Sequence, residues 1–210
     1  MMFRAKRLTF EHEESEHLFV KLIAESKGIE RLRTVRSEFA AKIRREYEHR
    51  ATPCSACKSP GICCRDEHFV NVRITRLEAA AIAERLGRLE DDKSAKVYER
   101  VLEAIEKFGL NSPDDNSNKA YACPLFEQGV GCLVHDSAKP LPCIAHACYE
   151  NAADLPPATM LEDREVTVAA LNRRVYGTAS VLSPIPVAIA GFRRSNAGPQ
   201  PAADHRDRNE

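Results

Sequence analysis

Eight cysteines fall into two clusters and nowhere else in the chain: Cys54-x2-Cys57-x5-Cys63-Cys64, and Cys123-x8-Cys132-x10-Cys143-x4-Cys148. Random placement would scatter some of them onto helical stretches, so the partition is itself a signal. Thiols gathered in this way bind metal, cross-link or do redox chemistry. A C-x2-C pair sets two sulfurs on one tight turn, where both reach one ion without straining the backbone. Cys54 and Cys57 therefore read as a half-site, with Pro53, Ser59, Pro60 and Gly61 supplying the turn. In an extended backbone Cys63 and Cys64 would point to opposite sides, suited to two ions or to two faces of a cluster. A kinked backbone would instead bring both sulfurs to one ion. Neither segment has obvious means to hold a metal alone, so the second must close the site. A metal tying both halves together would contribute to folding, on the order of 10 kcal/mol for structural zinc. The candidate ligands are Cys54, Cys57, Cys63, Cys64, Cys123, Cys132, Cys143 and Cys148.

Three histidines stand near the thiols: His68, His135 and His146, the last inside Cys143-x2-His146-x-Cys148. Imidazole suits zinc or iron, but eight thiols already fill two four-ligand sites, so each histidine reads first as a neighbour of the ligands. Asp66, Glu67 and Asp136 read as solvated loop charges, while Arg65 and Lys139 could stabilise thiolates by charge and by hydrogen bonds to sulfur. Buried cysteines can pack as small hydrophobes, yet these lie among Ser, Pro, Gly and charged residues. There is no Ser-His-Asp arrangement and no phosphate-cradling glycine loop.

The chain's 210 residues carry 31 Lys plus Arg against 31 Asp plus Glu, a formal balance that argues against nucleic-acid or membrane-surface binding. No tryptophan and 6% aromatic residues disfavour a base-stacking platform. The start, MMFRAKRLTFEHEES, has no apolar run of signal-peptide type. The longest apolar stretch, Val181 to Phe192, is too short to span a bilayer and holds Pro184 and Pro186. A cytoplasmic protein is expected, and in a reducing compartment clustered thiols point to metal or redox chemistry rather than disulfides.

The elements that must position these thiols are mostly helical. Ile29, Leu32, Val35, Phe39, Ile43 and Tyr47 form one apolar stripe, predicting a long helix from Leu18 to Arg50 with a break near Gly28. Alternation from Phe69 to Ile74 suits a short strand. Thr75 and Glu78 make a capping box and Gly87 a stop, which predicts a helix over Arg76–Leu86. Val97, Val101, Leu102, Ile105 and Phe108 mark another, closed by Gly109. Residues 111–119 are a polar loop, and the second cysteine segment is mostly loop and short turns. Asp163 to Tyr176 is expected to be helical with Gly177 as its stop, and Val181 to Phe192 extended. Expected is a mainly α fold, helices packed around a loop-rich cysteine-ligated centre with little β structure. It divides into an N-terminal helical extension (1–50), a cysteine-cluster domain (51–150), a C-terminal helix with an extended segment (151–192) and a disordered tail (193–210).

The run CSACKSPGICC, followed by FVNVRITRLEAAAIAERLG, ACPLF, GCLVHDSAKPLPC and AHAC, resembles the cysteine-cluster family named for its CxxCxxCC motif, also called the YkgJ family. Its members are described as zinc- or iron-chelating proteins. The similarity covers about Cys54 to Cys148 and takes in every cysteine. The family's "CP-x-L" element falls on Cys123-Pro124-Leu125-Phe126. The chain departs from the pattern in its longer Cys57-to-Cys63 gap, in Lys139-Pro140 where the family has Arg-Pro, in His135 for a Tyr and in His146 for a Phe. The last departure reopens His146 as a ligand. Flagellin lysine methylases look related through a similar cluster. The resemblance thus implies a metal-binding protein holding an iron–sulfur cluster, for which 4Fe-4S is one form, or zinc or iron ions. The alternatives are an iron–sulfur-dependent protein-modifying enzyme and a purely structural zinc-binding interaction module. Any partner or substrate would be another protein, with no nucleic acid or membrane involved.

Overall fold

The computed structural model describes residues 21–53, 56–65, 72–111 and 119–196. Among them are six helices: α1 (Glu25–Glu46), α2 (Arg76–Leu86), α3 (Asp91–Lys107), α4 (Leu141–Ala145), α5 (Ala158–Tyr176) and α6 (Ile185–Asn196). Six two-residue strands pair antiparallel: β1 (Ala51–Thr52) with β5 (Cys148–Tyr149), β2 (Arg73–Ile74) with β6 (Ser183–Pro184), and β3 (Phe126–Glu127) with β4 (Gly131–Cys132). The fold is mainly α, as its apolar periodicities predict.

Helix α1 buries Ile29, Leu32, Phe39 and Ile43, the expected stripe. The expected break at Gly28 does not occur. Gly28 is a helical residue, and its amide donates to the Ala24 carbonyl at 3.0 Å. A Cβ there would run into the Val175 side chain of α5, with Leu77 of α2 next nearest. This glycine therefore lets three helices approach closely.

The capping box forms as predicted. The Glu78 amide donates to Thr75 Oγ1 at 3.2 Å, and the Thr75 amide donates to the Glu78 carboxylate at 2.9 Å. Helix α3 starts on Asp91 and Asp92, whose charge suits a helix N-terminus. It is followed by Gly109 at φ +58°. Helix α5 starts at Ala158, earlier than the expected Asp163, and stops at Gly177 as predicted, with φ +74°.

The extended reading of Val181 to Phe192 is corrected. Only Ser183–Pro184 is a strand, and the chain then turns into α6, which continues through Arg193 to Asn196 where a disordered tail was expected. Pro186 lies in the first turn of α6, where an amide has no intrahelical acceptor, so the proline marks a helix start. Ile185 and Ile189 stack one turn apart and are fully buried. Of the predicted strand Phe69–Ile74, residues 72–74 are described and include β2. Residues 69–71, most of the 111–119 loop and 197–210 lie outside the described residues.

Two apolar clusters make the core. In the first, Ala79, Ile82 and Leu86 of α2 meet Val97, Val101 and Ile105 of α3, Ile189 of α6, and Tyr121, Leu125 and Val134. In the second, α1 meets Val168 and Leu171 of α5, Leu141 of α4, and the opposite side of α2 through Leu77, Ala80 and Ala81. Helix α2 thus lies between the two and is buried nearly all round, which its alanines make sterically possible. No helix among the described residues is long and apolar enough to cross a membrane.

Candidate metal centre

The two cysteine segments, separated in sequence by α2 and α3, meet. The Cys123 amide donates to the Cys64 carbonyl at 2.9 Å. Strand β1, at the start of the first segment, pairs with β5 at the end of the second, so Thr52 faces Cys148. Gly61 provides a third junction. It has φ +81°, and a Cβ there would penetrate the Phe126 ring from the second segment. Only glycine meets both demands.

After Gly61 the chain enters a 3-10 turn, Ile62–Cys64, closed by Cys64 N–H to Gly61 C=O at 2.9 Å. The extended backbone considered for Cys63 and Cys64 is therefore not the one adopted. The turn sets their side chains next to each other, and the two thiols share a hydrogen bond. His146 also hydrogen-bonds Cys63. The hydrogen bond from Cys64, then that from His146, lowers the Cys63 thiol to about 4, and the same bond together with burial raises Cys64. The shared bond thus favours ionisation at Cys63 and opposes it at Cys64.

The second segment is held at several points. Tyr121, fully buried, donates from its hydroxyl to the Val72 carbonyl at 2.7 Å and accepts from the Ile185 amide at 3.2 Å. Arg100 of α3 donates to the Pro124 carbonyl at 3.0 Å, fixing the Cys123-Pro124 step. The β3–β4 hairpin sets Phe126 opposite Cys132, with Gly129 and Gly131 at positive φ in its turn. Arg36, only 6% exposed on α1, donates from Nε to the Lys139 carbonyl at 2.7 Å and from Nη1 to the Ser137 carbonyl at 2.9 Å. It thereby pins the loop between Cys132 and Cys143. The Glu78 carboxyl accepts from the Leu141 amide at the start of α4, the helix that carries Cys143.

Cys123 and Cys132 lie within reach of each other's charge, and Cys64 and Cys143 each within reach of both. Each keeps some exposed surface, yet enough protein surrounds the sulfurs that burial dominates their acidity. Burial pushes Cys123 up to about 12 and raises Cys132 and Cys143. Lys139 opposes this rise at Cys132 and Cys143, Arg36 at Cys132 and Arg100 at Cys123. Burial in turn lowers the Arg36 guanidinium to about 10.

Of the candidate ligands, Cys54 lies outside the described residues, as do His68, Asp66 and Glu67. The structure brings together Cys63, Cys64, Cys123, Cys132 and Cys143, with His146 beside Cys63. Cys148 sits on β5 against β1, and Cys57 is half-buried on the loop before Gly61. His135 is exposed. Among the described residues, Cys57, Cys63, Cys64, Cys123, Cys132 and Cys143 are free thiols. Among the described residues, no three His, Cys, Asp or Glu side chains stand in a geometry that would hold one ion.

Sequence reasoning found Lys139 but missed Arg36, Arg100, Glu78 as a link to α4, and Tyr121. Arg36 did leave a signal, since it falls on the apolar stripe between Leu32 and Phe39, where a charge has no place unless it is paired. No protein-family model, curated protein or solved structure matches the chain.

Proposed function

We propose that this chain is a metal-binding protein of the CxxCxxCC cysteine-cluster kind, holding an iron–sulfur cluster or zinc or iron ions through clustered cysteine thiolates. One observation carries the reading: the Cys123 amide bonds the Cys64 carbonyl, joining two distant cysteine segments so that Cys64 and Cys143 both come within electrostatic reach of Cys123 and Cys132. The donor set fits such a group. Soft thiolates suit zinc and iron–sulfur centres, and thiols crowded in a protein-lined site resist ionisation until a cation compensates them. The ligand set proposed is the eight cysteines, with His146 placed to join them through its bond to Cys63. When bound, such a centre supplies either structural cross-linking or electron transfer. The compartment that suits such a cluster of reduced thiols is the cytoplasm.

Two roles are distinguished by the metal itself. Metal analysis and visible spectroscopy on protein isolated with and without air provide the test. Brown protein whose visible absorption bleaches on reduction indicates an iron–sulfur centre, and with it a redox or protein-modifying role. Colourless protein carrying stoichiometric zinc indicates a structural module. Cys63→Ser and Cys57→Ser should each lower metal content and soluble yield. Only trace metal in anaerobically prepared wild type, or full loading in both variants, would refute the proposal.

A further inference from the structure

A groove of about 710 Å3 runs beside the cysteine centre, between α1 on one side and the segments 135–139 and 144–147 on the other. Its volume lies within the ~300–1,000 Å3 range of small-molecule sites. It follows α1 from Arg33 to Arg44, about 17 Å at ~1.5 Å per residue. His146, which bonds Cys63, lines it, so the groove opens onto the centre.

The lining is apolar in part, through Ile43 and Ile144, and otherwise mainly basic. Arg33, Arg36, Arg44 and Lys139 face two carboxylates, Glu48 and Asp136. Two of the four cations are already engaged: Arg33 pairs with Glu84 at 2.6 Å, and Arg36 holds the Ser137 and Lys139 carbonyls. Among the described residues, Arg44 and Lys139 have no ion-pair partner. Ser137 Oγ, in the same wall, is buried and has no hydrogen-bond partner among them. A lysine ammonium with no carboxylate partner and a hydroxyl with no hydrogen-bond partner among the described residues, two residues apart, are complementary to one anionic group.

We infer that this groove binds a small molecule with an apolar body and a phosphate or carboxylate head, and seats the head on Lys139 and Ser137 beside the cysteine centre. The inference deepens the metal-centre reading by naming the class of compound that centre would meet, and it rests on that reading for the centre alone. Arg44, further along the groove, draws the anion in by its charge.

Phenyl phosphate and 3-phenylpropanoate share an apolar body and differ in the head, so titrating each calorimetrically into the isolated full chain at fixed ionic strength separates the two head chemistries. Saturable binding of at least one is expected. Lys139→Gln should weaken it roughly tenfold, the loss of one charge-assisted contact. Ser137→Ala should weaken it severalfold without lowering thermal stability, because it removes a hydroxyl that has no partner. Lys42→Ala removes a charge from the same helix outside the groove, in a separate hollow between α1 and α5, and should leave binding unchanged. Absence of saturable binding by either probe, or an equal loss in Lys42→Ala, would overturn the inference. So would binding of an acidic peptide in their place. Metal content is measured in every sample: metal-free wild type that still binds with the same variant pattern would sink the metal reading and leave the groove standing.

Discussion

Arg36→Met removes a buried guanidinium while keeping most of its aliphatic volume, and it is the substitution that weighs most heavily on the scaffold. Arg36 makes two charge-assisted hydrogen bonds, 2.7 and 2.9 Å, to the Lys139 and Ser137 carbonyls. Each such bond contributes about 1.5–3 kcal/mol. The Glu78 carboxyl, which burial has already raised, would also lose a nearby positive charge. These effects overlap, because the same side chain supplies both, so they are not summed. Losing two bonds of this size costs about 3–5 kcal/mol, which is the figure expected here. For a domain of this size, ~2–4 °C of melting temperature per kcal/mol gives a drop of roughly 6–20 °C.

The assay is urea and thermal unfolding of Arg36→Met, Glu78→Gln and the double variant, with metal content measured beside it. If part of the loss comes from an uncompensated Glu78, adding Glu78→Gln to Arg36→Met should recover about 1–2 kcal/mol. Metal content should fall in Arg36→Met, because the loop carrying Cys132 and Cys143 loses its anchor. Arg36→Met within ~1 kcal/mol of wild type would refute the reasoning, since burial and two short bonds cannot then be what they look like.

Glu78 carries a pH signature. Burial raises its folded value above the ordinary carboxylate range, so its contribution is full below that range and is lost as pH rises through the folded value, the folded state being the one that holds the proton. Glu78→Gln should flatten that decline in a urea-midpoint series across pH, and an unchanged profile would count against it. Gly28→Ala should destabilise by ~1–3 kcal/mol, because its methyl overpacks Val175, although propensity alone favours alanine in a helix by ~1 kcal/mol. Partial recovery on adding Val175→Ala, read from unfolding midpoints, checks the cause. Gly61→Ala meets both a positive φ and the Phe126 ring and should lower metal content more than Gly129→Ala, which has a positive φ but open space around it.

What was legible in the sequence was what depends on neighbours in the chain. The Thr75–Glu78 box, the Gly177 stop and the stripe Ile29-Leu32-Phe39-Ile43 each need only residues three or four apart. What was misread depends on distant partners. Gly28 looks like a break until Val175 and Leu77 are beside it. Pro184 and Pro186 look like extended chain, although the buried Ile185 and Ile189 behind them have helical spacing. Cys63 and Cys64 fit an extended or a kinked backbone in the sequence, because nothing local says that Gly61 will adopt its left-handed conformation against Phe126. Arg36 was overlooked because its partners are carbonyls far along the chain, which no side-chain pattern reveals.

The residues that hold the cysteine loops share a logic that explains why the helices between the two clusters are more than a spacer. Each loop is tied by a polar group anchored elsewhere: Arg36 of α1 for the loop between Cys132 and Cys143, Arg100 of α3 for Cys123-Pro124, Glu78 of α2 for α4, and Tyr121 against β2 and α6. All four lie outside the spans Cys54–Cys64 and Cys123–Cys148, so the loops are held by contacts that need no metal. The apolar packing is divided in the same way. Cys123, Cys132 and Cys143 rest against the first cluster, while Leu141, Ile144 and Ala145 around Cys143 belong to the second. Helix α4 therefore straddles the seam between the clusters, as α2 does. Any shift between the two halves of the core must move Cys143 relative to Cys123, and anything that grips both sulfurs must stiffen that seam. Unfolding of metal-loaded protein should then be one transition that includes both clusters, whereas stripped protein should lose protection first in the second cluster, around α1 and α5. Hydrogen exchange on both forms measures this directly, and equal protection of α1 in the two would show that the seam is not what the centre holds together.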